Sequence, residues 1–149
     1  MEPTNISNKN FYHTEKIQIR FNDIDIAGHV NNAVYQYYYD YGKLRFLDAV
    51  FGNLIVWEKY GFVLLNININ YVTPIYLHDN IEVQTRIEKI GTKSVLIQQV
   101  IREQNTKGED GIKSIAESVM VAYNFVEKQS MEIPENWKNA AYDFEKMKK

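Results

Sequence analysis

The stretch FNDIDIAGHVNN, residues 21–32, crowds Asp23, Asp25, Gly28, His29, Asn31 and Asn32 between an alternating apolar segment and a tyrosine-rich run. Upstream, residues 16–22 read K-I-Q-I-R-F-N. Ile17, Ile19 and Phe21 share one face, the period-two pattern of a half-buried strand. Downstream, residues 32–51 hold no proline and only Gly42 as a weak breaker. Val34, Tyr38, Tyr41 and Arg45 follow helical spacing there, while Tyr35, Tyr37 and Tyr39 put aromatics on the other sides. Such a segment predicts a helix buried nearly all round, with Asn31 or Asn32 capping its first turn through a side-chain oxygen. A polar cluster at a strand-to-helix junction is a turn, a metal loop or a catalytic site, and the rest of the chain narrows the choice.

Further along, residues 65–71 alternate strictly, with asparagines on the wet face, until Thr73-Pro74 ends the strand. Residues 81–90 alternate again, Gly91-Thr92-Lys93 turns into residues 95–102, and a polar loop at 103–111 leads to a long strand at 114–126. The tail from Pro134 predicts a helix over 135–146 with Trp137, Ala141 and Phe144 on one side. Strand, long buried helix, four strands in a run and a C-terminal appendage at about 134–149 argue for one α+β domain over residues 1–149, with a mostly antiparallel sheet. One sheet cannot cover an all-round apolar helix, so a partner subunit is expected: a homodimer or homotetramer.

At 149 residues, 45% hydrophobic and 24% charged, the chain has the composition of an ordinary soluble globular protein. A net charge of −2 gives no pull toward nucleic acid or an anionic membrane, and neither is expected as a partner. The polar start MEPTNISNKN lacks a signal-peptide core and no apolar run is long enough to span a bilayer, so a cytoplasmic protein is expected. The absence of cysteine excludes disulfides, thiolate metal sites and a Cys nucleophile.

Calcium would want an oxygen ligand where Ala27 stands and a glutamate where Val34 stands. His13, His29 and His78 are scattered, with no HxH or HxxxH pair. No metal and no cofactor are therefore expected. No nucleophile elbow, Walker loop or dinucleotide fingerprint appears. What remains is a turn with a helix cap, the role read for Asp23, or a carboxylate held at the start of a buried helix. There the dipole and unpaired N–H groups stabilise a developing oxyanion, and a carboxylate serves as base or nucleophile. Asp25, Gly28 and the amides around Asn31 and Asn32 fit that description, Gly28 allowing close backbone approach.

The pattern D-x-D-x-x-G-H-V-N-N, followed by a helix of the type x-x-Y-x-x-Y-[FY]-[DE], resembles the hotdog-fold acyl-CoA thioesterases, in particular the 4-hydroxybenzoyl-CoA thioesterase group. A more distant likeness is to the plant acyl-ACP thioesterases. The resemblance implies a long central helix wrapped by a curved, mostly antiparallel five-stranded sheet, and hydrolysis of an acyl-CoA thioester, with acyl carrier protein open as the alternative carrier. It implies Asp25 as the catalytic carboxylate and the Asn32 backbone N–H as the group polarising the thioester carbonyl. His29 matches a histidine of many members, with a direct role in the acyl-ACP branch. That branch has a functional asparagine where this chain has Ala27, which counts against a His29-centred mechanism. Gly91-Thr92-Lys93-Ser94 matches a turn that lies along the CoA arm, making Lys93 and Ser94 substrate-binding candidates. A hydratase or dehydratase of the same fold and a non-catalytic acyl-thioester binding module are the competing readings.

Among lesser candidates, Asp40 on the central helix is the alternative carboxylate, since the resemblance includes thioesterases in which a helix acid is the catalytic one. It is nevertheless expected to pair with Lys43 or Lys16, and Glu117 to lie exposed towards a strand end. The tyrosines from Tyr35 to Tyr41 are expected to fill core and subunit interface, with a few lining the acyl pocket as the alternative, and His13 and His78 to be surface residues.

Overall fold

The computed structural model describes residues 3–149. Its elements are α1 (Pro3–Ser7), β1 (His13–Ile17), α2 (Val34–Phe51), β2 (Tyr60–Tyr71), β3 (Ile81–Ile90), β4 (Ser94–Glu103), β5 (Ile112–Asn124), β6 (Gln129–Ser130) and α3 (Glu135–Glu145). Five antiparallel strands form a curled sheet in the order β1-β3-β4-β5-β2, and the two-residue β6 adds to β5. The sheet wraps α2, as expected of a hotdog fold.

Alternation assigns the faces. On β3, Ile81, Val83, Thr85 and Ile87 turn to α2, and on β5 Ser114, Ala116, Ser118 and Met120 do the same. Gly42 marks the closest approach: a Cβ there would stand 2.6 Å from Val83 Cγ1, so only glycine lets helix and sheet meet. β2 is longer than its alternation suggests, because a bulge at Leu65 shifts the register and hides the continuation back to Tyr60. Asn66, Asn68 and Asn70 lie on its wet face as expected.

Four expectations are corrected. The first strand is His13–Ile17, not 16–22, and Phe21 is 80% exposed. The Asp23 carboxylate accepts the Arg20 N–H at 2.9 Å and folds residues 21–23 into a 3₁₀ turn, ending the extended run. The helix is not apolar all round: Tyr37, Asp40, Tyr41, Leu44, Arg45 and Asp48 form an open face. Glu117 sits in mid-strand on the outer sheet face, accepting from Gln98 Nε2 at 3.0 Å. His13 is no surface residue. Its ring packs edge-on against Phe46, and burial lowers it below the usual histidine value.

The C-terminal helix is part of the core. Trp137 and Ala141 join Phe46, Phe51, Phe62 and Ile87, each buried aliphatic or aromatic side chain there contributing about 1.5–3 kcal/mol. The short α1, which has no counterpart in the periodicity, lays Ile6 over Val100, Ile112 and Ile115 on the outer face.

Candidate active site

Residues 24–30 form a small loop closed by a bridge between Ile24 and Val30. The Asp25 N–H donates to the His29 carbonyl at 3.0 Å and the Gly28 N–H to the Asp25 carbonyl at 3.0 Å. Gly28 has φ +84°, a conformation glycine reaches without a Cβ clash, so the loop reverses there. The loop is pinned twice: Val30 N–H donates to Ile75 at 2.8 Å, and Asn31 N–H to Asp23 at 2.8 Å.

Asp23 is the buried centre of this junction. Its carboxylate takes the Tyr38 hydroxyl at 2.6 Å and the Arg20 guanidinium at 3.1 Å. Burial works to raise this carboxyl, and the hydrogen bonds from Tyr38 and Arg20 outweigh it, leaving Asp23 below the usual aspartate range. The turn role read for Asp23 from the sequence fits its bond to the Arg20 N–H, and its side-chain contacts fix the orientation of the loop.

Asp25 stands half-buried beside it. Oδ1 accepts the Ala27 N–H and Oδ2 the Asn31 Nδ2, both at 2.9 Å. Asn31 Oδ1 in turn accepts the Ala33 N–H at 2.9 Å. The expected asparagine cap is not made: Ala33 is the N-cap of α2 and no side chain caps its first turn, because Asn31 closes a turn two residues on and stops short of the helix N–H groups. The Asn32 N–H has no hydrogen-bond partner among the described residues, while its carbonyl accepts the Tyr71 hydroxyl at 3.1 Å. His29 and Asn32 line a cavity of about 280 Å³ together with Tyr35, Tyr71, Thr73 and Pro74. Asp25 lies on the same loop as His29 but does not line that cavity.

The structure thus gathers Asp25, Gly28, His29, Asn31 and Asn32 at the start of α2. It does not bring Lys93 and Ser94 to them within one chain. Tyr71 pairs with Ser114 and Ser94 pairs with Val121, so the turn and the loop sit at opposite ends of β5. Seven residues of strand at ~3.4 Å each separate them by roughly 24 Å. Tyr71, Thr73 and Tyr76 went unread in the sequence, where residues 71–74 served only to end a strand. Tyr76 stacks edge-on against His29 with centroids 5.0 Å apart. Asp40 pairs with Lys43 at 3.4 Å, one of its two expected partners. Among the described residues no group of three or more His, Asp or Glu could hold a metal ion, and no helix is long and apolar enough to cross a membrane.

Residues 19–141 match the model of the thioesterase-like superfamily. The chain belongs to that superfamily. It is 30% identical over 89 residues to the long-chain acyl-CoA thioesterase FadM of Escherichia coli K12, a match covering 58% of this chain and 66% of FadM. It is 27% identical over 93 residues to the acyl-CoA thioester hydrolase YbgC of Escherichia coli, covering 60% of this chain and 69% of YbgC. A thioesterase from Thermus thermophilus, solved with coenzyme A and zinc, superposes with a TM-score of 0.80 at 22% identity over 93% of this chain and 97% of that one. The resemblance read from the motif is borne out in family and in fold.

Proposed function

We propose that the protein hydrolyses acyl-CoA thioesters to a free acid and coenzyme A, with the chemistry at residues 25–32. The observation that carries this reading is the juxtaposition at the start of α2. A carboxylate is held by two donors, on the same short loop as a backbone N–H left without a partner beside a cavity.

In this reading the thioester carbonyl oxygen takes the Asn32 N–H, and the N-terminal dipole of α2 stabilises the negative charge that develops there. Asp25 acts as general base, taking a proton from the attacking water, or as nucleophile, forming a mixed anhydride that water then cleaves. The tetrahedral intermediate expels the thiolate, which takes the proton Asp25 removed from water when Asp25 is the base and a solvent proton when it is the nucleophile. The bonds from Ala27 and Asn31 aim the carboxylate, and His29 shapes the loop with Tyr76. In oxygen-18 water, label appearing in the Asp25 carboxylate after one turnover selects the nucleophile, because only an anhydride attacked at its aspartyl carbonyl leaves water oxygen on the enzyme.

The substrate set is completed across a dimer. β2 is a sheet edge of twelve residues with Leu65 71% exposed, and an edge strand is suited to pairing with a second copy. A two-fold axis through the middle of β2 sets the mate's Tyr60 end beside this chain's Tyr71 end. Because the Ala122 N–H donates to the Lys93 carbonyl near that Tyr60 end, the mate's turn at 91–94 then faces this chain's loop. Lys93 and Ser94 of one copy would receive the CoA arm whose thioester lies against Asn32 of the other. Pairing of two such dimers gives the tetramer.

A panel of acyl-CoAs, with acyl-ACP as the alternative carrier, assayed for free thiol release tests the activity. Hydrolysis supports it; hydration of an enoyl-CoA, or tight binding without turnover, overturns it. Light scattering at micromolar concentration tests the assembly, and a monomer would contradict it.

A further inference from the structure

A second cavity, of about 850 Å³, opens between the end of β1 and the exposed face of α2. It shares no lining residue with the His29–Asn32 cavity, and β1 is the sheet edge opposite β2. Its volume falls within the ~300–1,000 Å³ of small-molecule sites, which the first cavity does not quite reach.

The lining joins Ile17 and three tyrosines to Gln18 and two cations. Tyr37 and Tyr41 keep 68% and 46% of their surface open beside Ile17, a large aromatic area to leave against water. Lys16 and Arg20 are its two charged residues, and no carboxylate lines it. Lys16 Nζ enters no hydrogen bond or ion pair among the described residues; Glu82, its register partner on β3, reaches it only electrostatically. Arg20 gives Nε and one terminal nitrogen to Asp23, yet its side chain stays 67% exposed, with donors to spare. Two cations beside aromatic side chains complement an anion that carries an apolar body.

We propose that this cavity is a second ligand site that takes an amphipathic carboxylate, an acyl or aryl acid, and that its occupancy slows the chemistry at residues 25–32. The identity of the ligand as reaction product rests on the proposed hydrolysis; the site itself does not. The coupling runs through contacts already described. Arg20 and Tyr38, both in the cavity lining, hold the buried Asp23 carboxylate. The Asp23 carbonyl holds the Asn31 N–H at 2.8 Å, and Asn31 holds Asp25 at 2.9 Å. A carboxylate that draws the guanidinium outward loosens Asp23, and with it the aim of Asp25.

Calorimetric titration of the full chain with decanoate, decanol and coenzyme A tests the site without any assay of turnover. Decanoate should bind, decanol more weakly, and binding should survive Asp25→Asn. Lys16→Glu should weaken it by roughly tenfold or more, since a like charge in the lining repels the carboxylate as well as removing its partner. Tyr37→Ala, an exposed substitution that leaves the charges in place, should weaken it less. Failure of decanoate to bind at millimolar concentration, binding indifferent to both substitutions, or displacement by coenzyme A would overturn the proposal. If thiol release is established, decanoate should lower kcat without raising KM in the wild type and not in Lys16→Glu, each protein judged against its own basal rate. Purely competitive inhibition would refute the coupling.

Discussion

From Tyr35 to Tyr39, α2 adds hydroxyl bonds to the sheet and the 21–23 turn to its apolar packing; from Phe46 to Phe51 it packs on the sheet and α3 mainly through apolar side chains. At the first end Tyr38 donates to Asp23, and Tyr39 to Ser114 Oγ at 2.7 Å, which passes a bond on to the Asn70 carbonyl at 2.8 Å. At the other end Phe46, Phe51, Phe62 and Trp137 gather in one cluster, the last three tilted against one another. Hydrogen bonds are directional and each adds only about 1 kcal/mol net. Apolar burial is non-directional and adds more per side chain. One end of the helix therefore anchors the fold, while the other fixes the orientation of the loop that carries Asp25.

Phe46→Ala should cost the most stability, about 3–5 kcal/mol in chemical denaturation, because it empties the centre of the apolar cluster. The folded fraction should keep a near-normal kcat. If Tyr39→Phe costs as much, the contrast between the two ends fails. Tyr38→Phe should cost about 1–3 kcal/mol by taking the hydroxyl from a buried carboxylate, and it should lower kcat as well. Asp23 is depressed in the folded state, so its stabilisation is present at neutral pH and lost as pH falls below about 3.9 and through its folded value. A Tyr38→Phe protein should therefore show a flatter acid limb than wild type.

His13 is the polar intruder at the apolar end, and it sharpens the comparison through pH. Burial first, against the pull of Glu15, holds its folded value below 6.5. The neutral ring is thus favoured in the folded state. Its contribution is complete above 6.5 and is lost as pH falls through the folded value. Thermal unfolding at about pH 5 and about pH 7.5 should differ less for His13→Phe than for wild type. The smallest effect concerns the far end of the sheet. Lys93→Ala should raise KM for CoA esters a few-fold at low salt and less at high salt, because screening weakens an exposed phosphate contact. A KM unchanged at low salt would make Lys93 a solvated turn residue.

The regular strands were legible because alternation is a local property: β3 runs over the residues its pattern marks, and β4 and β5 differ only at their ends. The first strand was misplaced because Ile19 and Phe21 continue the alternation past Ile17, while a carboxylate–backbone bond from Asp23 to Arg20 ends it. No period reports such a bond. The tyrosines show the limit of composition. Tyr35, Tyr38 and Tyr39 are buried, whereas Tyr37 and Tyr41 are open, and only the wrap of the sheet decides which. The motif brought together the residues of one loop, yet it carried no information about the distance to Lys93, nor about Tyr71 and Thr73 arriving from β2.

The central claim is that Asp25 performs the chemistry, and thiol release by Asp25→Asn tests it most directly. Asparagine keeps the size and leaves an oxygen to accept from the loop, so binding should survive and KM should hardly move. If the carboxylate activates water or attacks the carbonyl, kcat should fall by roughly a hundredfold or more, the scale for a lost positioned base. Near-wild-type turnover in Asp25→Asn, with Asp40→Asn inactive, would contradict the account and move the reaction to the exposed face of α2.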